Sequence, residues 1–111
     1  MVALAAGAVV LVPLPFSNLS RSKLRPAVVL ADAGRGDWIL CQVTSNPYSD
    51  AQAIKLSEKD FRTGSLKIES YVRPGKLFTA NRDLIVRQVG SLKDESFQRT
   101  VGAVVQLLRD T

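Results

Sequence analysis

The chain has 111 residues and a mass of 12.1 kDa, with 46% hydrophobic and 23% charged residues. Folding would hide about two-thirds of its surface, and the composition excludes a disordered or collagenous chain, so one compact domain over 1–111 is expected. The formal net charge is +5, and the basic excess lies in two windows of +3 each while the rest of the chain sums to −1: residues 1–31 carry Arg21, Lys23 and Arg25 with no acid, and residues 70–82 carry Arg73, Lys76 and Arg82 with none.

Histidine is absent, which removes the usual near-neutral acid/base, the Ser–His and Cys–His nucleophile pairs, and nearly every zinc site. A single cysteine, Cys41, among Ile39, Leu40 and Val43, reads as an inert core thiol and excludes an intramolecular disulfide framework. The first 16 residues are apolar but have no leading Lys or Arg. They are broken by Pro13 and Pro15 and are too short to span a bilayer. A soluble, cytoplasmic chain with no membrane partner is expected.

Ala8 to Pro13 is a β-branched apolar run that stops at the Pro13/Pro15 pair, and the polar stretch Ser17 to Leu24 reads as a loop. Pro26 to Ala31 is a second apolar strand, Asp32 to Gly36 a turn, and Asp37 to Thr44 a third strand, forming a meander. Asn46 to Asp50 has turn chemistry. Ile54 and Leu56 mark a half-exposed strand, and Ser57 to Asp60 has the spacing of a capped helical turn that Gly64 ends. Leu66 to Val72, Lys76 to Ala80 and Leu84 to Val89 complete six or seven strands.

In the tail the period changes. Phe97, Val101, Val104, Val105 and Leu108 fall on one face of a 3.6-residue helix, with Ser91 and Asp94 as its start and Gly102 as its weak spot. Many short strands and one packing helix predict a small, strongly bent barrel.

Four ordered blocks carry a resemblance. They are Pro13 to Ser20 followed by Ser22 to Leu30, with Arg25-Pro26 opening a strand; Cys41 to Asn46; Tyr71 to Thr79; and Val89 to Leu92 before the helix. In this set the chain resembles the MazF/PemK family of toxins from bacterial toxin–antitoxin pairs. The resemblance implies a mainly β fold, a small SH3-like barrel of the CcdB/Kid/PemK kind with a C-terminal α-helix. It further implies a homodimer that acts as a metal-independent, sequence-selective endoribonuclease on single-stranded RNA, needs no cofactor, and is restrained by an antitoxin.

By the same resemblance Arg25 and Thr44 are the catalytic pair, and the products are a 2′,3′-cyclic phosphate, or the 3′-phosphate derived from it, and a 5′-hydroxyl. The chemistry is compatible: attack by a 2′-hydroxyl passes through a phosphorane with extra negative charge, which a planar guanidinium can bond at two oxygens. Thr44, at a strand end, can present its hydroxyl to a phosphate oxygen or to the 2′-hydroxyl. Alternatively Arg25 pairs with Asp32 or Asp37, and Thr44 to Pro47 is turn punctuation. Phe16, Ser20, Arg21, Lys23, Ser45, Asn46, Arg73 and Lys76 are the expected RNA-binding residues, the two basic windows joining into one groove.

The chain departs from the family pattern where a carboxylate is common: it has Ala8 after Gly7, Gly75 two residues after Arg73, and Asn81 after Thr79-Ala80. No acid therefore presents itself as the general base. Two other readings stay open: a non-catalytic toxin of the CcdB-like kind, which traps DNA gyrase, and a homologue that binds RNA but cuts it poorly.

Overall fold

The computed structural model describes residues 3–14, 23–47 and 49–110. Seven strands form one sheet: β1 (Ala8–Leu14), β2 (Lys23–Gly34), β3 (Asp37–Thr44), β4 (Ile54–Leu56), β5 (Phe61–Gly64), β6 (Ser70–Asn81) and β7 (Arg87–Leu92). Their spatial order is β4-β6-β3-β2-β1-β7-β5, with all neighbours antiparallel. A single α-helix, α1 (Asp94–Arg109), closes the chain.

The sheet is curled. β4 and β5 lie at its opposite edges, roughly 29 Å apart if the sheet were flat, yet Leu56 and Phe61 share a core cluster with Val9, Val28, Cys41, Val43, Val72 and Leu92. Every strand contributes to that cluster. On the other face Val10, Val12, Ala27, Val29 and Leu40 form a second core, covered by Leu4, Trp38, Phe78 and Ile85. With both faces of β1, β2 and β3 buried, their runs of consecutive apolar residues are what the fold requires. The expected mainly β barrel with a C-terminal helix is the fold observed.

Several expected boundaries move. β2 begins at Lys23, three residues before Pro26, because β1 continues to pair with it through Leu14–Lys23. The expected loop therefore ends sooner, and its residues 17–22 lie outside the described residues. Arg35 and Gly36 make the turn into β3, with Arg35 at φ 58°. The two strands expected either side of Pro74-Gly75 are one strand, β6, while 66–69 lies outside it.

The β3–β6 register jumps from Cys41–Leu77 to Val43–Val72, so Arg73, Pro74, Gly75 and Lys76 stand opposite the single residue Gln42. Such a bulge tolerates a proline that an unbroken ladder would not. Cys41 lies buried beneath it, and its thiol donates to the Arg73 carbonyl at 2.9 Å. Burial pushes that thiol up to about 12, which fits the inert role expected of it.

β5 was not expected at all, and Leu84 to Val89 resolves into a single 3-10 turn (Arg82–Leu84) and β7, which begins at Arg87. Ser91 belongs to β7, where its hydroxyl meets that of Thr63 at 2.8 Å, and the helix starts at Asp94 behind Lys93. The buried stripe of α1 runs through Ser96, Thr100 and Val104, flanked by Phe97 and Val101, while Val105 and Leu108 face solvent. Small residues on that stripe let the helix lie close to the sheet.

The helix is pinned by Asp60. This buried carboxylate accepts from Ser96 Oγ at 2.9 Å and Arg99 Nη2 at 3.0 Å on one oxygen, and from the Ser57 backbone N–H at 2.9 Å on the other. Burial by itself would raise its pKa, but these bonds outweigh it and hold the group below the usual carboxylate range. A lowered carboxylate stabilises the fold fully above its unfolded value of about 3.9 and ceases to do so as pH falls through the folded value. Asp60→Asn should therefore cost about 2 kcal/mol at neutral pH, and in urea titrations from pH 7 to 2 it should flatten the loss of stability below about pH 4. An unchanged acid limb would remove the assignment.

Candidate active site

β2 and β3 pair with a constant register through Ala27–Gln42, Val28–Cys41 and Val29–Leu40. Continued by two residues, that register sets Arg25 opposite Thr44, on the same side of the sheet. The ladder stops before reaching them. β2 instead stays paired to β1 through Val12–Arg25, and β3 to β6 through Thr44–Tyr71. The two strands thus fork, with Arg25 on one prong and Thr44 on the other, at the edge of a packed core.

Arg25 is exposed and joins none of the four ion pairs among the described residues. Pairing with Asp32 is excluded by length, since seven strand residues span roughly 23 Å. Asp32 instead accepts from the Gly34 backbone N–H at 2.7 Å, and Asp37 accepts from Asn81 Nδ2 at 3.1 Å. Among the described residues no acid neutralises the Arg25 guanidinium.

Thr44 is half-buried, and its hydroxyl does shape the turn. It donates to the Asn46 carbonyl at 3.0 Å and accepts from the Asn46 backbone N–H at 3.1 Å. A hydroxyl has one proton and two lone pairs, so one acceptor position stays open. Turn punctuation and a chemical role are compatible in this residue. Ser45 and Asn46 follow it at the exposed rim, and Lys23 is exposed two residues before Arg25.

The second basic window is met by an acid from outside it that the charge pattern does not reveal. Arg73 Nε donates to Asp50 Oδ2 at 3.1 Å, with both side chains about one-fifth exposed. The Gln52 backbone N–H donates to Asp50 Oδ1 at 2.9 Å. These two bonds, with Lys76 nearby, hold the Asp50 carboxyl below its ordinary value. Arg73 is therefore an anchored cation, while Lys76 is exposed. No sequence spacing announces this contact, because it joins a turn residue to a bulge.

The row across the sheet continues from Thr44 to Tyr71 and on to Lys55. Beside them Glu69 accepts from Tyr71 Oη at 3.2 Å and Lys55 Nζ at 3.0 Å. These three residues were also not anticipated, since only the strand register assembles them. Phe16, Ser20 and Arg21 lie outside the described residues. Among the described residues no group of three His, Cys, Asp or Glu side chains gathers where a metal ion could be held, and no helix is long and apolar enough to cross a membrane.

The profile of one protein family, described as PemK-like, MazF-like toxin of type II toxin-antitoxin system, matches residues 5–108. The chain belongs to that family. Solved structures share the fold of this PemK/MazF-like toxin at low identity. MazF from Deinococcus radiodurans is 20% identical at a TM-score of 0.75, over 97% of this chain and 98% of its own. A MazE–MazF structure from the same organism is 19% identical at a TM-score of 0.75, over 96% and 97%. An endoribonuclease from Mycobacterial species, in complex with its cognate antitoxin, is 16% identical at a TM-score of 0.70, over 97% and 95%. No curated protein matches the chain.

Within the toxin fold, three of the blocks that carried the resemblance fall on neighbouring strands of the sheet. Arg25-Pro26 lies in β2, Thr44 ends β3, and Tyr71 to Thr79 forms most of β6.

Proposed function

We propose that this toxin is a metal-independent endoribonuclease that cuts single-stranded RNA through its own 2′-hydroxyl. One observation carries the reading: the forked end of β2 and β3 holds an exposed guanidinium, unpaired with any described acid, across from a hydroxyl with a free lone pair. In the reaction the 2′-oxygen bonds to phosphorus, the P–O5′ bond breaks, the 2′ proton leaves and the 5′-oxygen gains a proton. The products are a 2′,3′-cyclic phosphate and a 5′-hydroxyl.

Arg25 offers its planar fork to two non-bridging oxygens as charge builds on the phosphorane. The donor of Thr44 is committed to Asn46, so its remaining lone pair suits a donor, and the 2′-hydroxyl is one. This favours Thr44 as the residue that holds the nucleophile rather than one that bonds phosphate. Lys23, Ser45, Asn46, Arg73 and Lys76 bind the flanking backbone, with Phe16, Ser20 and Arg21 added from the segment between β1 and β2.

For partners we propose RNA, a second copy of the chain and a cognate antitoxin, all in the cytoplasm. The apolar surface left at Leu24, Leu84 and Val86 supports protein partners, and the positive charge beside the fork suits an acidic segment laid across it.

The reading is tested by incubating end-labelled RNA with the pure protein in excess chelator and mapping both cut sites and termini. Cyclic-phosphate or 3′-phosphate ends opposite 5′-hydroxyls are expected. Intact RNA would overturn the proposal, and intact RNA with falling gyrase activity would move the toxin to the CcdB-like kind.

A further inference from the structure

The Glu69, Tyr71 and Lys55 cluster plays no part in the proposed phosphoryl chemistry. It lies on the same row as Thr44, reached through the Thr44–Tyr71 and Tyr71–Lys55 pairings. Lys55 stands two strand spacings, roughly 10 Å, from Thr44. That is too far to touch the reacting phosphorus and suits contact with the neighbouring nucleotide.

Glu69 is held from both sides, by Tyr71 Oη on Oε1 and by Lys55 Nζ on Oε2, while its side chain is 53% exposed. An ionised carboxylate has about four lone-pair positions. Each oxygen therefore keeps one open, and the two bonds fix the direction in which they point. Among the four RNA bases only guanine carries two adjacent donors, N1–H and N2–H, on its pairing edge, with the O6 acceptor beside them. Adenine and cytosine place one amino group next to an acceptor, and uracil places one N–H between two carbonyls. The ammonium of Lys55 has protons left for O6, and half-buried Tyr71 supplies a ring for stacking. The cleft alongside Lys55 and Glu69 is also lined by Lys59, and by Arg99 in its ion pair with Asp60, so cations slightly outnumber carboxylates along it.

We propose that Glu69, positioned by Tyr71 and Lys55, reads a guanine next to the scissile bond and so sets the cleavage sequence. The inference rests on the nuclease reading above. A bidentate contact of this kind discriminates on the order of ten- to a hundredfold.

The test uses the full-length protein and synthetic RNAs that carry guanosine or inosine at the nucleotides flanking a mapped cut. Inosine lacks only the N2 amine. Wild type should cut the guanosine substrate at least fivefold faster, in kcat/KM, than its inosine counterpart at one flanking position. Glu69→Gln should bring that ratio close to one. Because the first comparison alters only the substrate, it does not depend on a variant folding. Wild type indifferent to guanosine at every flanking position would overturn the inference while leaving the nuclease reading intact, as would a ratio undiminished in Glu69→Gln. Failure to cut any RNA would remove the nuclease reading and this inference with it.

Discussion

Arg25→Ala should abolish RNA cutting, with a fall of about a thousandfold or more, while the protein melts where the wild type does. Removing one neutral donor to a developing oxyanion costs about 10²–10³ in rate. Arg25 would supply two donors and a full charge from an exposed position, so the upper end applies. The structural cost should be small, because the side chain is exposed and joins no ion pair among the described residues.

Lysine at this position keeps the charge but loses the planar fork, so Arg25→Lys should recover only part of the activity. Rates on labelled RNA in chelator, read beside thermal melts of the same samples, decide the matter. Wild-type cutting by Arg25→Ala would falsify the mechanism.

Gly64→Ala should be the most damaging single methyl group in the sheet. Gly64 sits at φ +69°, where an L-residue costs about 1–2 kcal/mol. Its missing side chain also makes room for another strand: a Cβ there would come within 2.1 Å of the Val89 carbonyl oxygen and 2.6 Å of Gly90 Cα. Both are backbone atoms of β7, which cannot swing aside as a side chain would.

Gly90 faces Gly64 in the β5–β7 register, and a Cβ on it would meet the Thr63 carbonyl at 2.6 Å. The pair permits the close approach that brings Phe61 into the core from the far edge of the sheet. Adding strain to overpacking, we expect a loss of about 3–4 kcal/mol and a fall in melting temperature on the order of 15 °C. Urea midpoints for Gly64→Ala and for Gly102→Ala make the comparison, because a Cβ at Gly102 meets open space on an exposed helix face. Equal midpoints in the two variants would show that the close approach does not matter.

The parts of the fold legible in sequence are those where one physical signal dominates. β1, β2 and β3 are consecutive β-branched or apolar residues because the curled sheet buries both their faces. Pro74-Gly75 reads as a break, yet the structure uses it as a bulge, with the helix residue Leu107 within 3.6 Å of where a Gly75 side chain would begin. β5 has a single buried apolar residue, Phe61, in four, too few for any periodicity. Its existence depends on its partner β7.

The candidate site divides in the same way. Arg25 and Thr44 stand out through local sequence, a basic loop running into Arg-Pro and a polar residue ending an apolar strand. Their facing positions come from continuing the hairpin register by two residues, which the residues alone do not specify. Asp50 went unnoticed because its partner Arg73 is 23 positions away, on the far side of a bulge. Glu69, an exposed acid just before a strand, looks like ordinary surface until the register sets Tyr71 beside Lys55.

The proposed catalytic pair stands on β2 and β3, inner strands of the sheet, with Arg25 paired to β1 and Thr44 to β6. Each residue is still tied to a core strand, which makes local opening costly, so a thermal ramp should show catalysis persisting almost to the melting point and then vanishing with it. These two strands offer no dimmer by which the molecule could idle while still folded. Restraint of such a weapon has to come as a sheath drawn over the blade.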